Sequence, residues 1–198
     1  MSEETVYERM LSRYESQEVP WDHELPPPEV MTMIERLPSG RALDIGCGYG
    51  RASIYMAQHG WQVDAVDFVQ QALQEARRRA HAAAVTVNFM RADISELHFL
   101  TASYDLVVDV GCSHSLTNEQ LRSHHAELKR LICAGGIYLL YGRLQQPEEQ
   151  WGFDEPFLLD LYQDGFDLIE ATPGVTHMAD GSSWSSEWFT FQRQAESA

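Results

Sequence analysis

A chain of 198 residues, 44% of them apolar, is the size of one domain and can bury a core without disulfide staples. Its formal charge of −16 repels phosphate polyanions, so no nucleic acid or anionic membrane is expected as a partner, and no apolar run approaches the roughly 18 residues of a membrane span. The three cysteines, Cys47, Cys112 and Cys133, share no C-x-x-C spacing, which argues against a disulfide framework and a cysteine-built zinc site.

The start, Met1 to Thr5, is acidic and polar, without the basic and then apolar character of a secretory signal, so a cytoplasmic location is expected. Within residues 1–20, Tyr7, Met10, Leu11 and Tyr14 recur at helical spacing. Val19-Pro20-Trp21-Asp22 follows, and then Pro26-Pro27-Pro28, an extended stretch because three prolines in a row forbid a helix. A helix is expected over 29–37, ended by Pro38-Ser39-Gly40. Residues 1–38 read as a segment that covers a substrate, and 39–198 as the core of a single domain.

From Arg41 short apolar runs alternate with helical stretches. Strands are expected at 41–45, 61–66, 85–90, 104–110, 137–142, 166–170 and 187–192, and helices at 51–59, 69–80, 119–132 and 156–163. The glycine pair Gly135-Gly136 reads as the break between helix and strand. Arg77-Arg78-Arg79 reads as a solvated helix end, where cations suit the dipole. The alternation predicts an α/β fold, a three-layer, doubly wound, mostly parallel seven-stranded sheet. Ligands of such sheets bind beyond the carboxyl ends of the strands.

The first strand runs into Asp44-Ile45-Gly46-Cys47-Gly48-Tyr49-Gly50-Arg51. Glycines there permit positive φ and let a ligand touch backbone. A dinucleotide loop, G-x-G-x-x-G, would need glycine where Arg51 stands, and Asp44 would repel a pyrophosphate. No P-loop ending is present. Asp67 closes the second strand 17 residues after Gly50, placed to accept both hydroxyls of a ribose, with mid-strand Asp64 as competitor. After the third strand Asp93 is placed to accept an exocyclic amine or to cap a turn, and Phe68 and Ile94 to flank an adenine.

These motifs, followed by Tyr104-Asp105-Leu106-Val107-Val108-Asp109, resemble in order and spacing the class I S-adenosylmethionine-dependent methyltransferases over residues 41–143. The resemblance implies the Rossmann-like methyltransferase fold with an antiparallel last strand. It implies S-adenosylmethionine as cofactor, S-adenosylhomocysteine as product, and cofactor contacts from Asp44, Gly46, Cys47, Gly48, Gly50, Asp67, Phe68, Asp93, Ile94 and Asp109. Val19-Pro20-Trp21-Asp22 with the prolines, Asp109-Val110-Gly111-Cys112-Ser113-His114, and the Trp184–Gln192 end are similar to small-molecule methyltransferases related to the thiopurine and tellurite enzymes. Ser115 departs from that pattern, in which a bulky or imidazole residue follows the histidine.

A small-molecule acceptor and direct in-line transfer are therefore expected, with a protein side-chain acceptor or a non-catalytic cofactor-binding module as alternatives. A nicotinamide oxidoreductase is disfavoured by Arg51 and Asp44. His114, after the fourth strand, is the candidate general base. Tyr14, Trp21, His23 and Trp151, with Phe153, are candidate walls of a substrate pocket. His124 and His125 read as solvated or packed, Cys112 as packed, and no cluster has metal-ligand spacing.

Overall fold

The computed structural model describes residues 5–101, 103–146, 151–177 and 181–195. The acidic start at Met1–Glu4 lies outside the described residues. Seven strands form one mixed sheet in the order β3-β2-β1-β4-β5-β7-β6, with the last strand antiparallel to its neighbours. The chain divides into two compact units, 1–94 and 95–198.

The first unit opens with α1, Val6–Glu15. A capping box starts it: the Thr5 hydroxyl accepts the Glu8 N–H at 3.2 Å and the Glu8 carboxylate accepts the Thr5 N–H at 2.8 Å. The apolar side of α1 joins Tyr7, Met10, Leu11 and Tyr14 to Tyr49, Phe68, Val69 and Ala72. The third proline of the Pro26–Pro28 run becomes the first residue of α2, Pro28–Arg36, where its missing N–H has no intrahelical partner to lose. Val30 and Ile34, one turn apart, are the buried stripe of α2.

Then β1 (Arg41–Ile45), α3 (Arg51–Gln58), β2 (Gln62–Asp67), α4 (Gln70–Ala82) and β3 (Asn88–Arg91) alternate, the strands in parallel register with Asp44 beside Ala65 and Asp67 beside Arg91. Leu43, Ile45, Ala65 and Val66 are fully buried, each large one contributing about 1.5–3 kcal/mol. The third strand begins three residues later than expected. Ala84 takes positive φ and Val85 N–H bonds back to Ala80, so the turn that ends α4 uses the first apolar residues for packing.

The second unit contains β4 (Tyr104–Val110), a 3₁₀ turn (Ser113–Ser115), α5 (Asn118–Leu131), β5 (Ile132–Arg143), α6 (Glu155–Tyr162), β6 (Phe166–His177) and β7 (Ser183–Arg193). Gly135-Gly136 does not separate helix from strand but lies inside β5. The β4–β5 register shifts between Tyr104 and Leu106, and Gly135 absorbs the irregularity with φ +78°. Strand β6 is twelve residues long rather than five, mostly exposed, at the edge of the sheet. Tyr138, Tyr162, Phe189 and Phe191 form a stacked aromatic core, with Tyr162 and Phe191 4.8 Å apart. No helix among the described residues is long and apolar enough to cross a membrane.

Candidate functional site

The glycine loop follows β1. Gly46, Gly48 and Gly50 have φ of +63°, +54° and +81°, a backbone path that side-chain-bearing residues rarely take. Gly50 N–H donates to Cys47 O at 2.8 Å and begins α3. A Cβ on Gly50 would stand 3.2 Å from Ala76 and Phe89, so this glycine also lets α4 and β3 close on the loop. The Cys47 side chain belongs to the apolar core with Leu73, Ala76 and Phe89, leaving its backbone as the part that forms the loop. Asp44 is buried and accepts a short hydrogen bond from the Ser53 hydroxyl of α3. The Arg51 guanidinium reaches the Leu25 carbonyl at 3.4 Å and feels the charge of Asp44, although burial still lowers its pKa.

Asp67 ends β2 with 4% of its surface exposed. Its two oxygens take separate backbone donors, Gly48 N–H at 2.9 Å and Val69 N–H at 2.8 Å. Burial pushes its carboxyl above the ordinary carboxylate range, against the lowering pull of the Val69, Gly48 and Phe68 N–H groups. A carboxylate has about four lone-pair sites, so two bonds do not exhaust Asp67 as an acceptor. Its competitor Asp64 is engaged elsewhere, by Arg41 at 3.3 Å and Asn88 at 2.8 Å. Past β3, Asp93 is exposed and Ile94 buried, and Phe68 meets Tyr7 edge-on at 5.5 Å.

The N-terminal segment lies over this loop. A Cβ on Gly48 would stand 3.1 Å from the Tyr14 hydroxyl and 3.9 Å from Trp21 Nε1. The two rings meet at 6.1 Å, nearly perpendicular. His23, from the same segment, is exposed. Arg77 and Arg78 are exposed near the end of α4, as expected of a solvated helix end, but Arg79 is half-buried in an ion pair. Arg77 donates to the Phe89 carbonyl at 2.7 Å, and Arg79 holds both oxygens of Asp22, at 2.7 and 2.8 Å, across 57 residues of chain. Sequence spacing carries no signal of that pairing, because the partner lies in another element.

Glu75 accepts from Arg78 and Arg79, and these contacts hold its pKa at about 2. Its folded pKa is depressed, so the stability it contributes is present above the ordinary glutamate pKa and is lost as pH falls towards 2. A carboxyl-carbon NMR titration should show Glu75 still ionised at pH 3.5; a midpoint above 4 would show the contacts absent in solution.

The methyltransferase-domain family matches residues 42–136, from β1 through the start of β5. Over those residues, just under half of its length, the chain is similar to a methyltransferase domain. An uncharacterised methyltransferase of Schizosaccharomyces pombe is 34% identical over 91 residues, 46% of this chain and 62% of that relative. The chain thus spans about three-fifths of that relative's length. A structure described under the conversion of a disulfide bond into a thioacetal group during echinomycin biosynthesis superposes with TM-score 0.81 at 20% identity, covering 96% of this chain and 93% of the other. The N-methyltransferase NodS of Bradyrhizobium japonicum, solved with S-adenosylhomocysteine, superposes with TM-score 0.72 at 17% identity, covering 94% and 98%. At such identities the structural likeness establishes the fold.

In the second unit Asp109 has a use that sequence reading did not foresee. It is fully buried, and its carboxylate accepts Cys112 N–H at 2.9 Å, Ser113 N–H at 3.3 Å and the Tyr138 hydroxyl at 3.2 Å. Burial raises its pKa against the pull of His124 and the backbone donors. Enclosed in this way it anchors the loop after β4. His114, on that loop, accepts the Arg143 N–H at Nδ1 (3.2 Å) and meets Phe153 edge-on at 6.3 Å. A neutral ring accepting at Nδ1 carries its proton on Nε2 and donates there. With Nδ1 so engaged, a general-base role at Nε2 would call for a change of tautomer.

Trp151 is exposed while Phe153 is buried. His124 and His125, adjacent on α5, are both buried and packed, His125 with its Nε2 2.9 Å from the Asp164 carbonyl. Among the described residues no group of three His, Cys, Asp or Glu is placed to hold a metal.

Proposed function

We propose that this protein transfers a methyl group from S-adenosylmethionine to a small-molecule acceptor by direct in-line displacement. The observation that carries the reading is the glycine loop with Asp67 behind it: three positive-φ glycines leave backbone without side chains, and a buried acceptor stands at the loop's back. That cradle suits a ligand with a flat edge and vicinal hydroxyls. Gly46, Gly48 and Gly50 would meet the methionine part, Asp44 its amino group, Asp67 the ribose and Asp93 the adenine amine. When bound, the cofactor supplies a methyl on a positively charged sulfur, a reaction whose rate rests mainly on alignment.

The chain's own residues bind, cover and orient. Tyr14 and Trp21 cover Gly48 and limit water there. In the second unit, His114 is the candidate catalytic side chain, with its Nδ1 held by the Arg143 N–H. A small acceptor is favoured by this aromatic cover, which restricts what reaches the loop. The similarity to a structure from echinomycin biosynthesis is in keeping with such an acceptor.

Thermal unfolding with S-adenosylhomocysteine or NADH tests the cofactor. Saturation at 100 times the dissociation constant should add about 2.7 kcal/mol with S-adenosylhomocysteine and nothing with NADH. No shift with millimolar S-adenosylhomocysteine would end the reading. Incubation with a panel of small thiols, amines and phenols, followed by S-adenosylhomocysteine release, tests the acceptor class; turnover only on a folded protein substrate would refute it.

A further inference from the structure

Five side chains of the first unit close a circuit around the glycine loop. Asp22 N–H donates to Val19 O at 3.0 Å, closing a turn with Pro20 and Trp21 inside it, so Trp21 is rigidly tied to Asp22. Both Asp22 oxygens are gripped by the two terminal nitrogens of Arg79 at 2.7 and 2.8 Å, while Arg79 Nε donates to Glu75 at 2.7 Å. The Arg79 guanidinium also lies 4.6 Å from the centre of the Tyr49 ring, and Tyr49 stands between Gly48 and Gly50. Tyr49 in turn meets Tyr14 at 5.1 Å, and Tyr14 meets Trp21 at 6.1 Å.

We propose that the Arg79–Asp22 pair is a latch that holds Trp21 and Tyr14 over Gly48, and that its strength governs how fast S-adenosylhomocysteine leaves. The proposal rests on the cofactor reading above. The Tyr14 hydroxyl and Trp21 Nε1 stand 3.1 and 3.9 Å from the Gly48 Cβ position, so the cover closes directly on the loop and borders a ligand laid along it. For it to leave, the Val19–Asp22 turn must lift, and lifting separates Asp22 from Arg79. Glu75 and the Tyr49 face keep the guanidinium aimed while the turn is open, so the latch is set from the α4 side. Arg79 is thus a positioning residue that acts through the cover. A planar fork bonded to both oxygens fixes orientation, which a lysine ammonium does not.

Arg79 and Asp22 side chains are 31% and 27% exposed, so solvent screens the pair and the expected effect is moderate. In the full chain, Arg79→Ala and Asp22→Asn should each weaken S-adenosylhomocysteine binding about tenfold, equivalent to about 1.4 kcal/mol. Nearly all of the loss should lie in a faster dissociation rate, read by stopped-flow tryptophan fluorescence. The double variant should be no weaker than either single one, and Arg79→Lys should recover part of the loss. Asp22→Asn preserves shape and decides the matter if Arg79→Ala does not fold. Wild-type and variant chains that bind with the same constant within twofold would overturn the latch, as would a double variant whose loss is the product of the two single losses. A wild-type chain that does not bind S-adenosylhomocysteine at all would overturn the cofactor reading instead, and the latch with it.

Discussion

Replacing Asp67 by Ala should abolish stabilisation by S-adenosylhomocysteine and also lower the stability of the ligand-free chain. The carboxylate is the acceptor for Gly48 and Val69 N–H, one in the glycine loop and one at the start of α4. Truncation leaves two backbone donors without it, at about 1–3 kcal/mol each where water does not replace the carboxylate. Relief of the buried charge offsets part of this, since burial already raises the carboxyl's pKa. Asp67→Asn separates the two roles. It keeps one acceptor oxygen but turns an amide NH₂ towards one of the N–H donors. Urea denaturation should show a smaller loss for Asn than for Ala, while ligand stabilisation is lost in both; an unchanged ligand shift in either variant would refute the ribose role.

Affinity should also follow pH. As pH falls through the raised pKa, Asp67 takes up a proton, loses acceptor capacity and holds the hydroxyls less well. Binding therefore strengthens as pH rises through that pKa and is level above it. Isothermal titration at a series of acid pH values reads this limb, and affinity that does not fall as the carboxyl is protonated would contradict it.

Asp109→Ala should be the most destabilising single change in the second unit. It strands Cys112 N–H, Ser113 N–H and the Tyr138 hydroxyl in a site without solvent. Loss of a buried, multiply bonded acceptor costs about 3–5 kcal/mol when its partners stay behind. Because those partners shape the loop that carries His114, activity should fall along with stability. The Tyr138→Phe variant removes one bond and leaves both backbone donors held, so it should cost about 1 kcal/mol. Equal losses in the two variants by urea denaturation would show that the loop does not depend on Asp109.

Strands that are apolar and bounded by glycine, β1 and β4, are legible to the residue, because burial on both faces demands an unbroken run. The turn made by the glycines and the strand-end position of Asp67 are equally legible, since both lie in spacing along the chain. What fails is whatever depends on a partner far away. Gly135-Gly136 looks like a break between helix and strand, yet β5 begins at Ile132 and takes the pair up as an irregularity in its register with β4. Only 166–170 reads as strand from sequence, yet eleven paired positions with β7 keep β6 extended through Pro173-Gly174 to His177. Arg79 and Asp109 are visible as charges, but the groups they bind, Asp22 and Tyr138, are fixed by the fold. Local pattern speaks of local state, and a buried or bridged charge is a tertiary fact.

The long exposed edge at β6 bears on how the protein behaves in a crowded solution. A twelve-residue border strand with Leu168, Ile169 and Val175 open to water is a template along which a second copy can line up, the first step towards insoluble assemblies. Pro173 stands mid-strand and has no N–H to offer an incoming ladder, a feature sheets tolerate only at such borders. Pro173 thus breaks the run of N–H donors at one position of this border, beside the charges of Asp167 and Glu170 on the same strand.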